Sequence, residues 1–186
     1  YDRVIQALFE RGMMAHILLK VYNKRVTWPV RGSAEDDLFF RWMTARYAAY
    51  PNVIWDFSKE AHNEKDLEYK LGRIRLVRAS DPYHRLMTNH DDDRNNDRGA
   101  FDSLNDFRAD QQHSKLRETV LSQRQRRAWP VANVEFGYEQ GRGGGKDKTY
   151  GVAQPPEEVA RRAWEISMAG GYTAYYYTYT AWDVLR

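Results

Sequence analysis

Two short stretches of the chain concentrate groups able to move protons. Asp56-Phe57-Ser58-Lys59-Glu60-Ala61-His62-Asn63-Glu64 follows the apolar triplet Val53-Ile54-Trp55, and Glu135-Phe136-Gly137-Tyr138-Glu139 follows Val131-Ala132-Asn133-Val134. Each carries a glutamate at the end of a segment with strand composition, where a parallel strand delivers side chains to a ligand-binding rim. Two carboxyl groups on separate strands supply what glycoside cleavage requires, one to protonate the departing oxygen and one to attack or assist at the sugar carbon. Glu60 and Glu135 are far enough apart in sequence to come from separate strand–helix units. A lone glutamate after a strand is more often a helix cap or a surface group, so the conjunction carries the reading.

Further polar groups follow other candidate strands: Asn89, His90, Asp91 and Asp92; then Gln111, Gln112 and His113; then Tyr138 and Glu139. Amides and carboxylates pair with sugar hydroxyls, while Tyr179 and Trp182 offer flat rings for C–H surfaces. Asp56 is a candidate substitute acid. His90 beside acids raises a metal-dependent hydrolase as a competing reading, but the chain has no HExxH or comparable ligand spacing, so neither metal nor cofactor is expected. Gly141-Arg142-Gly143-Gly144-Gly145-Lys146 fails the phosphate-loop template, because Gln140 stands where its first glycine belongs and Asp147 follows the lysine. A loop over the sugar site, or a plain insertion, is the expectation there.

The elements that must position these groups alternate. Val4, Ile5, Leu8 and Phe9 recur at helical spacing up to Gly12, and Met13–Tyr22 is an apolar run broken by His16 and Lys20, as in a strand buried on both faces. His16 either points into the mouth of the sheet or is a satisfied core histidine. A helix capped at Ser33 runs to the Tyr50-Pro51 break, followed by a strand at Asn52–Phe57, a helix at Asp66–Ser80 and a strand at Arg85–Thr88. Next come a short strand near Asp106–Ala109, a charged helix from Ser114 to Arg127, a strand at Trp129–Phe136, a helix from Pro156 to Gly170 and a strand at Tyr172–Thr180. Six strands with intervening helices specify α/β architecture with a parallel sheet, and polar and aromatic residues gathering after the strands favour a (β/α)8 barrel over an open sheet.

The 186 residues, 42% hydrophobic and 14% aromatic, suffice for one domain spanning 1–186. With 29 Lys+Arg against 26 Asp+Glu the net charge is only +3, and no nucleic-acid partner is expected. The clusters Arg73/Arg75/Arg78 and Arg124/Arg126/Arg127 read as solvated helix faces. There is no cysteine, hence no disulfide framework and no thiol nucleophile. No apolar run is long enough for a membrane span. The chain opens already in helical register, as a piece of a longer protein would, and a barrel would then lack about two strand–helix units before Tyr1.

Asn52–Glu60 and Trp129–Gly137 resemble the fourth and seventh strands of the clan A retaining glycoside hydrolases, and Tyr176–Trp182 is similar to their eighth. Within that clan the chain most resembles the apiosidase-like group, in which a small-residue-rich helix such as Ala160–Gly171 precedes an aromatic final strand. The resemblance implies a TIM barrel and a glycosidase in polysaccharide degradation, with Glu60 as general acid/base, Glu135 as nucleophile and a carbohydrate as substrate. The candidate substrate contacts are Lys59, Asn89, His90, Asp91, Gln112, His113, Tyr138, Tyr179 and Trp182, and the location is left open with a lean toward secreted or periplasmic. Lys59 stands where the clan has an asparagine before the acid, which motivates a second expectation, a carbohydrate-binding barrel without turnover.

Overall fold

A computed structural model of the protein describes residues 1–22, 24, 26–92, 98–139 and 153–174. Its contacts divide into two compact units, Tyr1–Phe107 and Arg108–Arg186.

In the first unit, α1 (Asp2–Phe9) is closed by Gly12, whose φ of +67° is the left-handed conformation that glycine adopts without penalty. The strand β1 (Ala15–Val21) pairs in parallel with β2 (Val53–Lys59), and β2 with β3 (Met87–Thr88), so that Leu18 stands beside Asp56 and Asp56 beside Thr88. Parallel neighbours require crossovers, supplied by α2 (Ala34–Tyr47) and α3 (Leu67–Ser80). Both helices start on side-chain caps: Ser33 accepts from the Asp36 N–H and Asp66 from the Tyr69 N–H. Trp55, Phe57, Phe40, Ile74, Val77 and Met87 form the buried core, with the Phe40 and Phe57 rings stacked at 6.2 Å.

A polar network braces the ends of β1 and β2. The buried Lys20 ammonium lies 3.3 Å from Asp36 Oδ1 and also donates to Tyr69, whose hydroxyl donates to Asp36 in turn. Burial lowers the Lys20 pKa and raises those of Tyr69 and Tyr22, while the Asp36 charge opposes the shift at Lys20. Glu64 accepts from Arg31, Tyr22 and the Asp66 N–H, which fixes the loop between β2 and α3.

Two sequence expectations are corrected here. β1 is buried on both faces only in part, since His16 and Leu18 are exposed on the face they share. Of the supposed solvated arginines on α3 only Arg75 is exposed. Arg73 pairs with Asp36 and Asp37, and Arg78 binds the carbonyls of Arg85 and Leu104 and the Asp106 carboxylate. Periodicity finds the polar face of a helix but not the partners that cover it.

After the two-residue β4 (His90–Asp91), the second unit begins with β5 (Arg108–Asp110), two residues later than its sequence pattern predicts at its start. It pairs in parallel with β6 (Val131–Asn133), and β6 with a strand at Tyr172–Thr173. The helix α4 (Leu116–Arg126) packs with α5 (Pro156–Met168), and between β6 and α5 a short parallel pair, β7 (Tyr138–Glu139) and β8 (Ala153–Gln154), was not foreseen. The last strand, at Tyr172–Thr173, is β9; residues 175–180 of the predicted Tyr172–Thr180 segment, Tyr179 among them, and Trp182 beyond it lie outside the described residues, as does the Gly141–Lys146 loop. The core here joins Leu116, Val120, Trp129, Val131, Phe136, Val159 and Ile166.

Gly171, where α5 hands over to β9, leaves no room for a side chain: a Cβ would meet Ile166 Cγ2 at 2.9 Å and Val120 Cγ2 at 3.1 Å. Gly171→Ala is therefore expected to lower unfolding free energy by about 1–3 kcal/mol in urea titration. On α5, hydrogen bonds from Arg161 and Arg162 hold the Glu158 pKa down to about 2. Its stabilising contribution is complete above the ordinary glutamate value and is lost as pH falls through about 2. The difference in urea midpoint between wild type and Glu158→Gln should shrink progressively as pH falls from about 5 toward 2.

Candidate active site

In the first unit the site is organised by Asp56, whose carboxylate is fully buried on β2. Oδ1 accepts the backbone N–H groups of Ser58 at 3.0 Å and His90 at 2.9 Å, and Oδ2 lies 3.0 Å from His16 Nε2. One side chain thus ties the end of β2 to β4 and β1. With Oδ1 accepting two backbone N–H groups and Oδ2 set against His16, Asp56 braces the strands around it.

Glu60, the residue after β2, has φ 57° and ψ 51°, a left-handed conformation that costs a non-glycine residue about 1 kcal/mol. The strain is held by a single helical turn at Ala61–Asn63: the Asn63 N–H donates to the Glu60 carbonyl at 3.0 Å, and Asn63 Nδ2 donates to Glu60 Oε2 at 2.9 Å. Lys59 Nζ lies 3.6 Å from Glu60 Oε1, and both side chains are largely buried. The predicted acid and its departure from the clan pattern therefore form one charged pair.

The same turn carries His62, whose Nδ1 is 3.8 Å from Asp91 Oδ1 and whose Nε2 is 3.7 Å from Asp92 Oδ2. Among the described residues this is the group that could hold a cation, with ligand atoms within 4.8 Å of one another. The imidazole comes from after β2, whereas the sequence draws attention to His90, whose backbone N–H serves Asp56 instead. Asn89 is fully buried; its Nδ2 donates to Asp91 Oδ2, and its Oδ1 accepts from Asn105.

In the second unit Glu135 is 4% exposed and lies two residues beyond the end of β6. Sequence composition extends this strand to Phe136, but pairing stops at Asn133 because the asparagine side chain takes over. Asn133 Oδ1 accepts the Glu135 N–H at 3.2 Å and faces the Gln112 N–H at 3.4 Å, while Asn133 Nδ2 donates to the Gln112 carbonyl at 3.0 Å. The Tyr138 hydroxyl donates to Glu135 Oε1. That contact fixes the orientation of the Glu135 carboxyl.

Gln112 is buried, with Nε2 lacking a hydrogen-bond partner among the described residues; His113 is half-buried, and Arg162 on α5 binds its carbonyl. The second unit therefore gathers Gln112, His113, Glu135 and Tyr138, and the first gathers Lys59, Glu60, His90 and Asp91 with Asn89. Sequence reasoning missed His62, Asn133 and Arg162. Asn133 had a signal, being two positions before Glu135 on the same strand. Replacing Asp56 with Ala would leave two buried N–H groups unsatisfied, and a loss of about 2–4 kcal/mol in urea-unfolding free energy is expected.

Residues 1–185 match the family model for the Apiosidase-like catalytic domain. The fold is that of a candidate glycoside hydrolase from Bacteroides vulgatus (TM-score 0.79, 20% identity, covering 95% of this chain and 35% of the other). It is also that of a family 5 glycoside hydrolase from the same organism (TM-score 0.70, 19% identity, 95% and 42%). A third likeness is to the family 113 β-mannanase of Alicyclobacillus acidocaldarius (TM-score 0.63, 17% identity, 94% and 66%). The chain thus has the parallel β/α architecture of the TIM barrel, and it spans about 35% and 42% of the first two of these proteins. Comparison with the curated proteins finds no match, and no helix among the described residues is long and apolar enough to cross a membrane. By its sequence, over nearly its whole length, the chain belongs to the Apiosidase-like catalytic-domain family.

Proposed function

We propose that the protein hydrolyses O-glycosidic bonds with retention of anomeric configuration, using Glu60 and Glu135. The observation that carries this reading is Glu135 itself: a buried carboxylate just past a parallel strand, oriented by the Tyr138 hydroxyl and by Asn133 through its own N–H. Glu135 attacks the anomeric carbon while Glu60 gives its proton to the glycosidic oxygen as that bond breaks. Water then attacks the resulting glycosyl ester, Glu60 takes the proton, and the Glu135 carboxylate leaves. Gln112, His113 and Tyr138 are assigned to sugar hydroxyls near Glu135, and Lys59, Asn89, His90 and Asp91 to those near Glu60. Tyr179 and Trp182 are assigned to the apolar sugar face. Carbohydrate is the partner, and no resident metal or cofactor enters the scheme.

One observation favours a second reading. Lys59 Nζ, 3.6 Å from Glu60 Oε1, competes with a leaving oxygen for that carboxyl, as in a carbohydrate-binding barrel that no longer turns over. Kinetics on a panel of 4-nitrophenyl glycosides separates the two. Glu60→Ala is expected to lower kcat/KM by about 10²–10⁴-fold, with azide restoring turnover to a glycosyl azide of retained configuration. Glu135→Ala should lose turnover as well, with azide giving the inverted product. Wild type that binds sugars without cleaving any of the panel would establish the binding barrel.

A further inference from the structure

Resting on the role given to Glu135, we infer that Arg162 is a positioning residue for that nucleophile, acting through the peptide that follows it. Arg162 projects from α5 with its side chain 17% exposed. Its Nε donates to Glu158 Oε1 at 3.0 Å, one turn earlier on the helix, which fixes the plane of the guanidinium. Nη1 then donates to two main-chain carbonyls, His113 at 2.7 Å and Phe136 at 3.2 Å. Those carbonyls lie three residues beyond the ends of β5 and β6, where the sheet no longer pairs the backbone and a buried carbonyl needs another donor.

The placement brackets Glu135. Asn133 holds its N–H, Tyr138 holds its carboxylate, and Arg162 holds the carbonyl of the next residue. The same guanidinium fixes His113 on the neighbouring loop, so two groups assigned to the site share one anchor. The apolar core in this region is made by Phe136, Val159 and Ile166, all fully buried, and Arg162 is not one of its members. Loss of Arg162 should therefore leave the core intact and loosen the orientation of the carboxylate, where a displacement of about 1 Å costs about 10²-fold in rate. Lysine can reach a carbonyl with one ammonium, but it lacks the planar fork that serves Glu158 and the carbonyls together.

The test uses 2,4-dinitrophenyl 2-deoxy-2-fluoro-glycosides of the gluco, galacto, manno and xylo series, with labelling followed by intact mass and peptide mapping. Wild type is expected to be labelled at Glu135. Arg162→Met should be labelled about 10²-fold more slowly with an unchanged half-saturating concentration, Arg162→Lys at an intermediate rate, and millimolar guanidinium should accelerate the Met variant alone. Arg161→Met is the control: its side chain is 60% exposed and binds Glu158 and Glu165 but neither carbonyl, and it should be labelled at the wild-type rate. Wild-type labelling of a folded Arg162→Met protein overturns the inference while leaving Glu135 as nucleophile. If Arg162→Met does not fold, wild-type labelling of Arg162→Lys overturns it equally. A wild type labelled at another residue, or by none of the four probes, removes the nucleophile assignment and this inference with it.

Discussion

Parallel pairing is the constraint from which the rest of the structure follows. Strands running side by side in one direction must be joined by crossovers, and α2, α3, α4 and α5 supply them. Every strand then ends at the same edge of its sheet, where hydrogen bonding stops and the chain turns away. In the first unit that edge carries Glu60 and His90–Asp91; in the second it carries Gln112, His113 and Glu135. Polar residues gather at these edges because the edge offers unpaired backbone groups and a place for side chains outside the apolar core.

Both units close this edge with the same device. Asp56 Oδ1 accepts the N–H two residues on, from Ser58, and an N–H from β4. Asn133 Oδ1 does the same for Glu135 and lies over the Gln112 N–H beyond β5. In each case a short polar side chain substitutes for the missing ladder partner and sets the path of the residues that follow. Strand termination and site geometry are therefore one event. Both residues are buried, so their polar groups are taken up by neighbouring backbone.

Much of this was legible in the sequence where the signal is local. Helices α2 and α3 begin at the caps Ser33 and Asp66, and β2 starts in the apolar run before Asp56, continuing to Lys59, two residues past the predicted strand. The family and the barrel fold were readable from the segments around Glu60 and Glu135. What escaped was set by contacts distant in sequence. β6 stops at Asn133, though Val134 and Phe136 are apolar, because the Asn133 side chain takes the backbone groups of Gln112 and Glu135 that further pairing would use. His62 meets Asp91 and Asp92 across 29 and 30 positions, and Arg162 reaches back 49 positions to His113, spacings that no periodicity announces. The left-handed turn at Glu60 is likewise held by its neighbours and has no glycine to mark it.

Retention requires a covalent bond to Glu135, and the stereochemistry of the first product reports on it most directly. A glycoside that the protein cleaves should be followed by proton NMR in the first minutes, before mutarotation scrambles the anomers. The newly released sugar is expected to have the anomeric configuration of the substrate, the outcome of two successive displacements. An inverted first product would contradict it, showing one displacement by water and leaving Glu135 as a base.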